Sequence, residues 1–144
     1  MDRYTPDRVI NGTFGEAWCD NDYMAEVIGL EAKLKLDTAD VQMTGTLKKG
    51  TKVIGVSGSG TLKLNKVTSY FLNKVSENIK AGRATRVTII TKLEDPEAFG
   101  AERIVLNDCV ITELTLADWE SGKLGEESIP FTFGDFEILE SITV

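Results

Sequence analysis

Histidine is absent from this 144-residue chain. Its absence removes Ser–His–Asp and Cys–His nucleophile arrangements, and with them the commonest transition-metal ligand. Cysteine is scarce: Cys19 and Cys109 lie far apart, match no metal or redox spacing, and are expected to be free thiols. No apolar run is long enough to span a bilayer, so stable membrane association is not expected. The first eight residues, Met1 to Arg8, alternate charges and lack the apolar stretch of a secretory signal. The expectation is folding in a cytosol, where the Asn11-Gly12-Thr13 sequon carries no meaning. A dense basic stripe of the kind that grips nucleic acid is also missing.

What is present describes one ordinary globular domain over residues 1–144, with 42% hydrophobic and 27% charged residues. The charge is unevenly placed. Residues 1–92 hold 14 Lys/Arg against 10 Asp/Glu, whereas residues 93–144 hold 2 against 13. Two readings fit: two solvated surfaces of opposite sign, or complementary patches through which copies attract one another head to tail.

Period-two alternation dominates the chain. In VIGLEAKLKLD, the residues Ile28, Leu30, Ala32, Leu34 and Leu36 share one face, which predicts a long half-buried strand. In VIGVSGSGTLKLN the same parity runs from Ile54 and Val56 through Gly58 and Gly60 to Leu62 and Leu64. A loop has no reason to hold that phase, so the reading is one long strand with a glycine notch, where something approaches closely or the strand bends. The competing reading is a hairpin turning at Ser57-Gly58-Ser59-Gly60. One amphipathic helix is expected at about residues 69–81, capped by Thr68 or Ser69, with Phe71, Leu72, Val75 and Ile79 on one side and Gly82 as its stop. Further strands are expected near Thr13–Cys19, at Val87–Leu93, and at Ile129–Phe133 with Pro130 marking an edge or bulge. ERIVLNDCVITELTLADW reads as a long strand pair or a single bent strand, with Ile104, Leu106, Val110, Leu114 and Leu116 inward. Residues 37–52 read as a long loop bearing Lys48, Lys49 and Lys52, and residues 1–12 as a mobile arm. The fold class is mainly β, a sandwich or barrel with one flanking helix.

Tests for chemistry fail one after another. Gly55 and Gly60 have phosphate-loop separation, but Thr61-Leu62 stands where Lys-Ser/Thr is required. Gly58-x-Gly60 lacks the third glycine of a dinucleotide fingerprint. Glu126-Glu127 and Glu94-Asp95 are adjacent pairs, which a strand sends to opposite faces and which therefore read as solvated turns. Trp18, Trp119, Phe131, Phe133 and Phe136 read as core packing, with a ligand pocket as the alternative. No catalytic residue, metal site or cofactor is expected.

INGTFGEAWCDNDYMAEV, GTLKKGTKVIGVSGSGTLKLNKVTS, the following KVTSYF and the late IPFTFGDFEI together span nearly the whole chain. In order and spacing they resemble the tail tube proteins of contractile bacteriophage tails, in the group found in defective prophages of Gram-positive bacteria and phage-tail-like bacteriocins. The resemblance implies two roughly orthogonal sheets flanked by a helix. It also implies six-membered rings stacked into a hollow tube, with sheath, tape-measure and baseplate proteins as partners. The tube would belong to a virion tail, assembled in the bacterial host cytoplasm. It would conduct DNA without sequence preference through a lumen that acidic residues keep non-adhesive, or would pierce a membrane in a bacteriocin. On this resemblance Gly58 and Gly60 curve a strand where subunits or sheets meet, an intramolecular bulge being the other reading. Lys48, Lys49 and Lys52 are expected to meet acidic partners across a stacking interface. The alternative function is a monomeric, small-molecule-binding β-barrel.

Overall fold

The computed structural model describes residues 3–143. Eight strands form one antiparallel sheet that folds over itself into a mainly β sandwich: β1 (Gly15–Cys19), β2 (Asp22–Tyr23), β3 (Val27–Gln42), β4 (Lys49–Asn65), β5 (Arg86–Glu94), β6 (Ala101–Ile111), β7 (Glu126–Phe133) and β8 (Asp135–Glu140). The strand order is β2-β1-β5-β6-β7-β4-β3, with β8 also paired to β6. Buried side chains from both layers, among them Leu62, Ile129 and Phe131 against Ile89, Leu106 and Cys109, make one core. The single helix α1 (Tyr70–Lys80) adds Phe71 and Val75 to it.

Local chemistry accounts for the turns. Asp20 and Asn21 take φ of 50° and 71° between β1 and β2, the left-handed pair that a two-residue hairpin demands and that Asp and Asn tolerate. Helix α1 ends with Gly82 at φ 73°, its N–H donating to the Ile79 carbonyl while Arg83 N–H reaches the Asn78 carbonyl, an arrangement that closes the last turn. Ser69 holds the N-cap position without a side-chain capping bond, and Ile79 is exposed rather than packed. The helix is fastened to the β1–β2 turn: Lys74 Nζ donates to Asp20 Oδ2 at 2.7 Å and to Tyr70 Oη at 3.3 Å. Burial pulls the Asp20 carboxyl upward, but the hydrogen bonds from Lys74 and the Thr88 N–H outweigh it and hold the group below its ordinary value.

Three expectations need correction. Residues 37–52 are not a long loop: β3 runs to Gln42 and β4 starts at Lys49, so only residues 43–48 turn. In β6 the inward phase flips, because Asp108 sits at φ 54° and the register with β5 shifts between Val87 and Ile89. Cys109 and Ile111 therefore point inward in place of Val110, and Leu116 lies exposed beyond the strand end. The described part of the N-terminal segment is tied down: Arg8 Nη1 donates to the Glu97 carbonyl at 3.0 Å and Asn11 N–H to Asp95 Oδ2 at 2.9 Å. Met1 and Asp2 of the expected arm lie outside the described residues.

The glycine notch belongs to one unbroken strand, and the alternative hairpin at residues 57–60 does not form. Gly58 pairs across to Phe133 and Gly60 to Phe131. A Cβ on Gly58 would lie 2.6 Å from the Phe133 ring, and one on Gly60 would strike both the Glu31 carbonyl oxygen and the Phe131 ring. These glycines are spaces for phenyl rings, with no bulge at either position. Replacing Gly60 by Ala is expected to cost about 2–3 kcal/mol in urea unfolding, since a strand carbonyl cannot yield. Gly58→Ala should cost less, because a ring can tilt, and Gly12→Ala, with no neighbour within 4 Å, should be near neutral. Equal losses at all three positions would contradict this account.

Candidate assembly surfaces

β4 changes character along its length. From Gly58 to Asn65 it lies between β3 and β7; from Lys49 to Ser57 its only partner is β3. The outer half of the β3–β4 hairpin is thus a two-stranded ribbon projecting from the sandwich. The parity that buries Leu62 and Leu64 continues outward past the glycines, leaving Val56 and Ile54 at 59% and 67% exposure. Leu34, Leu36, Val41, Met43 and Val53 are also exposed, and Leu47 at the tip is wholly so. A bulge between Asp37 and Thr38 leaves Ile54 unpaired opposite the step. Among the described residues β3 pairs with β4 alone, which leaves its other edge, 16 residues long, open.

A further open edge faces the base of β3. β8 pairs only with β6, and the groove it borders has a volume of about 370 Å³. Leu30, Leu34, Leu106, Phe133, Phe136 and Ile138 line it. A more polar cavity of about 470 Å³ lies between β1 and β3. Of the aromatic residues considered for a pocket, Phe133 and Phe136 reach the groove. Phe131 is core, Trp18 packs on Tyr23 at 5.5 Å between ring centroids, and Trp119 is 86% exposed.

Lys48, Lys49 and Lys52 lie at the ribbon tip and make no ion pair among the described residues. The structure brings the three lysines together. It does not bring Gly58 and Gly60 to them: both lie inside the sheet, paired on each side and covered by phenyl rings. No free backbone edge exists at either glycine, so neither can pair edge to edge with a neighbouring copy.

Elsewhere the chemistry is structural. Among the described residues no group of three His, Cys, Asp or Glu could hold a metal ion. Glu127 is buried and accepts from Lys66 Nζ at 2.8 Å, while its neighbour Glu126 points to solvent. Asp95 is buried and accepts from the N–H groups of Asn11 and Glu97, while Glu94 is exposed. Cys19 and Cys109 are fully buried, and burial pushes each thiol up to about 11. Native protein at pH 8 is therefore expected to resist a thiol reagent, with both cysteines reacting once denatured; rapid labelling of the folded chain would contradict the buried placement.

The connection from β6 to β7, residues 112–125, is the surface that the sequence pattern concealed. Leu114 packs against the core, but Leu116, Trp119 and Leu124 are exposed. An isolated apolar residue reads as core in a sequence, so only the three-dimensional structure separates these from Leu114.

A β-sandwich with open edges at β3 and β8 and an exposed apolar ribbon has the makings of a subunit of a larger assembly. The chain belongs to the phage tail tube protein family, whose model matches residues 2–140. It is 32% identical over 137 residues to the phage-like element PBSX protein XkdM of Bacillus subtilis strain 168, covering 93% of this chain and 92% of that protein. Its fold is also similar to two cryo-EM structures of an extracellular contractile injection system, PVC. One is the sheath/tube terminator in the extended state, with TM-score 0.70, 11% identity, and coverage of 97% of this chain and 100% of the other. The other is the sheath–tube complex, with TM-score 0.68, 11% identity, and coverage of 92% of both chains. The chain is a structural tail tube protein.

Proposed function

We propose that six copies close into a ring through their strand edges, and that rings stack into the hollow inner tube of a contractile tail. The observation that carries this reading is the unsatisfied sheet margin: β3 leaves a 16-residue edge open beside an apolar ribbon that its own chain never covers. An edge of that length beside exposed Val56 and Ile54 is a liability in a solitary protein and an asset in a ring. Glu31, Lys33, Lys35 and Asp37 alternate with the apolar residues along it, which restrains pairing with wrong partners.

The same reading places the sheath around the tube, the tape-measure protein within it and the baseplate at its end, with assembly in the bacterial host cytoplasm. In a phage the bore carries DNA; in a bacteriocin the tube pierces a membrane. The outer face of β4 and β7 carries small hydroxyls such as Ser57, Ser59, Thr61, Ser128 and Thr132, and β3 sets Glu31, Lys33 and Lys35 beside them. Many acids of the C-terminal third lie instead on β8 and the loops. The protein acts by shape and contact, and no step of its work needs catalysis. The apolar groove beside β8 is compatible with a small ligand, but it is open to solvent along a free strand edge, which suits a neighbouring chain better.

Electron microscopy of the concentrated protein should show rings or hollow tubes. Ile54→Lys with Val56→Lys should keep the thermal midpoint within about 2 °C, as surface changes do, and should stop assembly. A wild-type chain that stays solitary when crowded would defeat the tube reading, and full assembly by the double variant would remove the ribbon from it.

A further inference from the structure

The ribbon tip and the 112–125 connection lie at opposite ends of the molecule. β4 has 17 residues, roughly 50 Å of extended chain, with the tip at its start. At its end Asn65 pairs with Glu126, and Lys66 N–H donates to the Gly125 carbonyl at 2.8 Å, so the connection is anchored there. The two surfaces cannot meet within one chain. Each nevertheless offers what the other lacks.

The connection is a built platform. Thr112 N–H donates to the Pro130 carbonyl, Leu114 packs into the core, and a turn closes at Glu120–Lys123 with Gly122 at φ 82°. On it stand Leu116, Trp119 and Leu124, exposed by 75%, 86% and 95%. Glu113, Asp118 and Glu120 belong to the same segment, whose one cation, Lys123, is paired to Glu120 at 2.9 Å. At the tip, Val41, Met43 and Leu47 are the exposed apolar residues, and Lys48, Lys49 and Lys52 outnumber Asp40. Apolar groups meet apolar groups, and three lysines meet three acids.

We propose that the β3–β4 ribbon tip of one copy docks on the 112–125 connection of a second copy, and that this is the contact by which rings stack. It rests on the tube reading above. A contact between opposite poles is heterologous: it leaves a free tip and a free platform at the two ends, and repeats without closing. Trp119 is suited to the centre of such a contact, since its ring buries a large area and its face attracts a lysine ammonium. The charges fix polarity, because tip against tip or platform against platform sets like signs together.

Two measurements on the full chain test it. Lys48→Glu, Lys49→Glu and Lys52→Glu together, or Glu113→Lys, Asp118→Lys and Glu120→Lys together, should each raise the critical concentration for tube growth at least ~10-fold, and all six together should restore it to within ~3-fold of wild type. Separately, Thr44→Cys mixed with Ser121→Cys should yield disulfide-linked pairs in assembled tubes, the native thiols being buried. If wild type forms tubes but the six-fold variant is not rescued, or if only like cysteines couple, the stacking contact is overturned while the tube reading stands. Tubes that grow normally from the Lys-substituted platform but no longer bind sheath would likewise overturn it, assigning that loop to a different partner. If wild type forms no ordered polymer, the tube reading fails and takes this contact with it.

Discussion

At Gly58 and Gly60 two phenyl rings rest directly on the backbone of β4, and this contact decides where the strand stops being core. Phe133, opposite Gly58, is the last residue of β7. Beyond it the chain turns at Gly134 and continues as β8 along β6, so β4 loses its second neighbour at that step. The rings fill the space that side chains on β4 would occupy and hold the two layers together up to the fork. On the far side nothing covers β4. A Cβ at Gly60 would push the Phe131 ring and the β3 backbone apart, and the ribbon would lose the base from which it projects.

The fork explains why part of the fold was readable in the sequence and part was not. Hydrophobic alternation reports burial, so it located β4 through its glycines, β5 from Val87 and Ile89, and β7 from Ile129, Phe131 and Phe133. Asp37 to Lys52 has no core to face and therefore no such signature, although Thr38, Val41 and Thr51 suit a strand. The helix was legible because it carries both a buried stripe and a stop at Gly82. Its last apolar residue, Ile79, faces solvent, because a stripe in sequence does not say where the core ends.

The assembly surfaces were harder to see for a related reason. Leu116 follows Leu114 at strand-like spacing, and a residue awaiting a neighbour has the same chemistry as one already buried. The phase change at Asp108 turns Cys109 and Ile111 inward in place of Val110, and β6 ends at Ile111, so extrapolating the strand past that point placed Leu116 in a core it never reaches. The lysine cluster was visible as a cluster, but its surroundings were not: only the strand register places it at the pole opposite the acids.

Two kinds of force then act on one molecule with different reach. The open β3 edge offers backbone hydrogen bonds and apolar contact, which act within a few ångströms and depend little on salt. The pole charges act over about 8–10 Å at physiological ionic strength and fade as salt rises. Lateral closure and axial growth are thereby separable: salt should weaken the encounter of lysine tips with acidic loops more than it loosens edges already paired. A chain built this way can remain soluble in dilute solution, with net charge −7 opposing collapse. Under the proposed stacking contact it grows in one direction, because its unlike poles sit at the two ends of the same long strand.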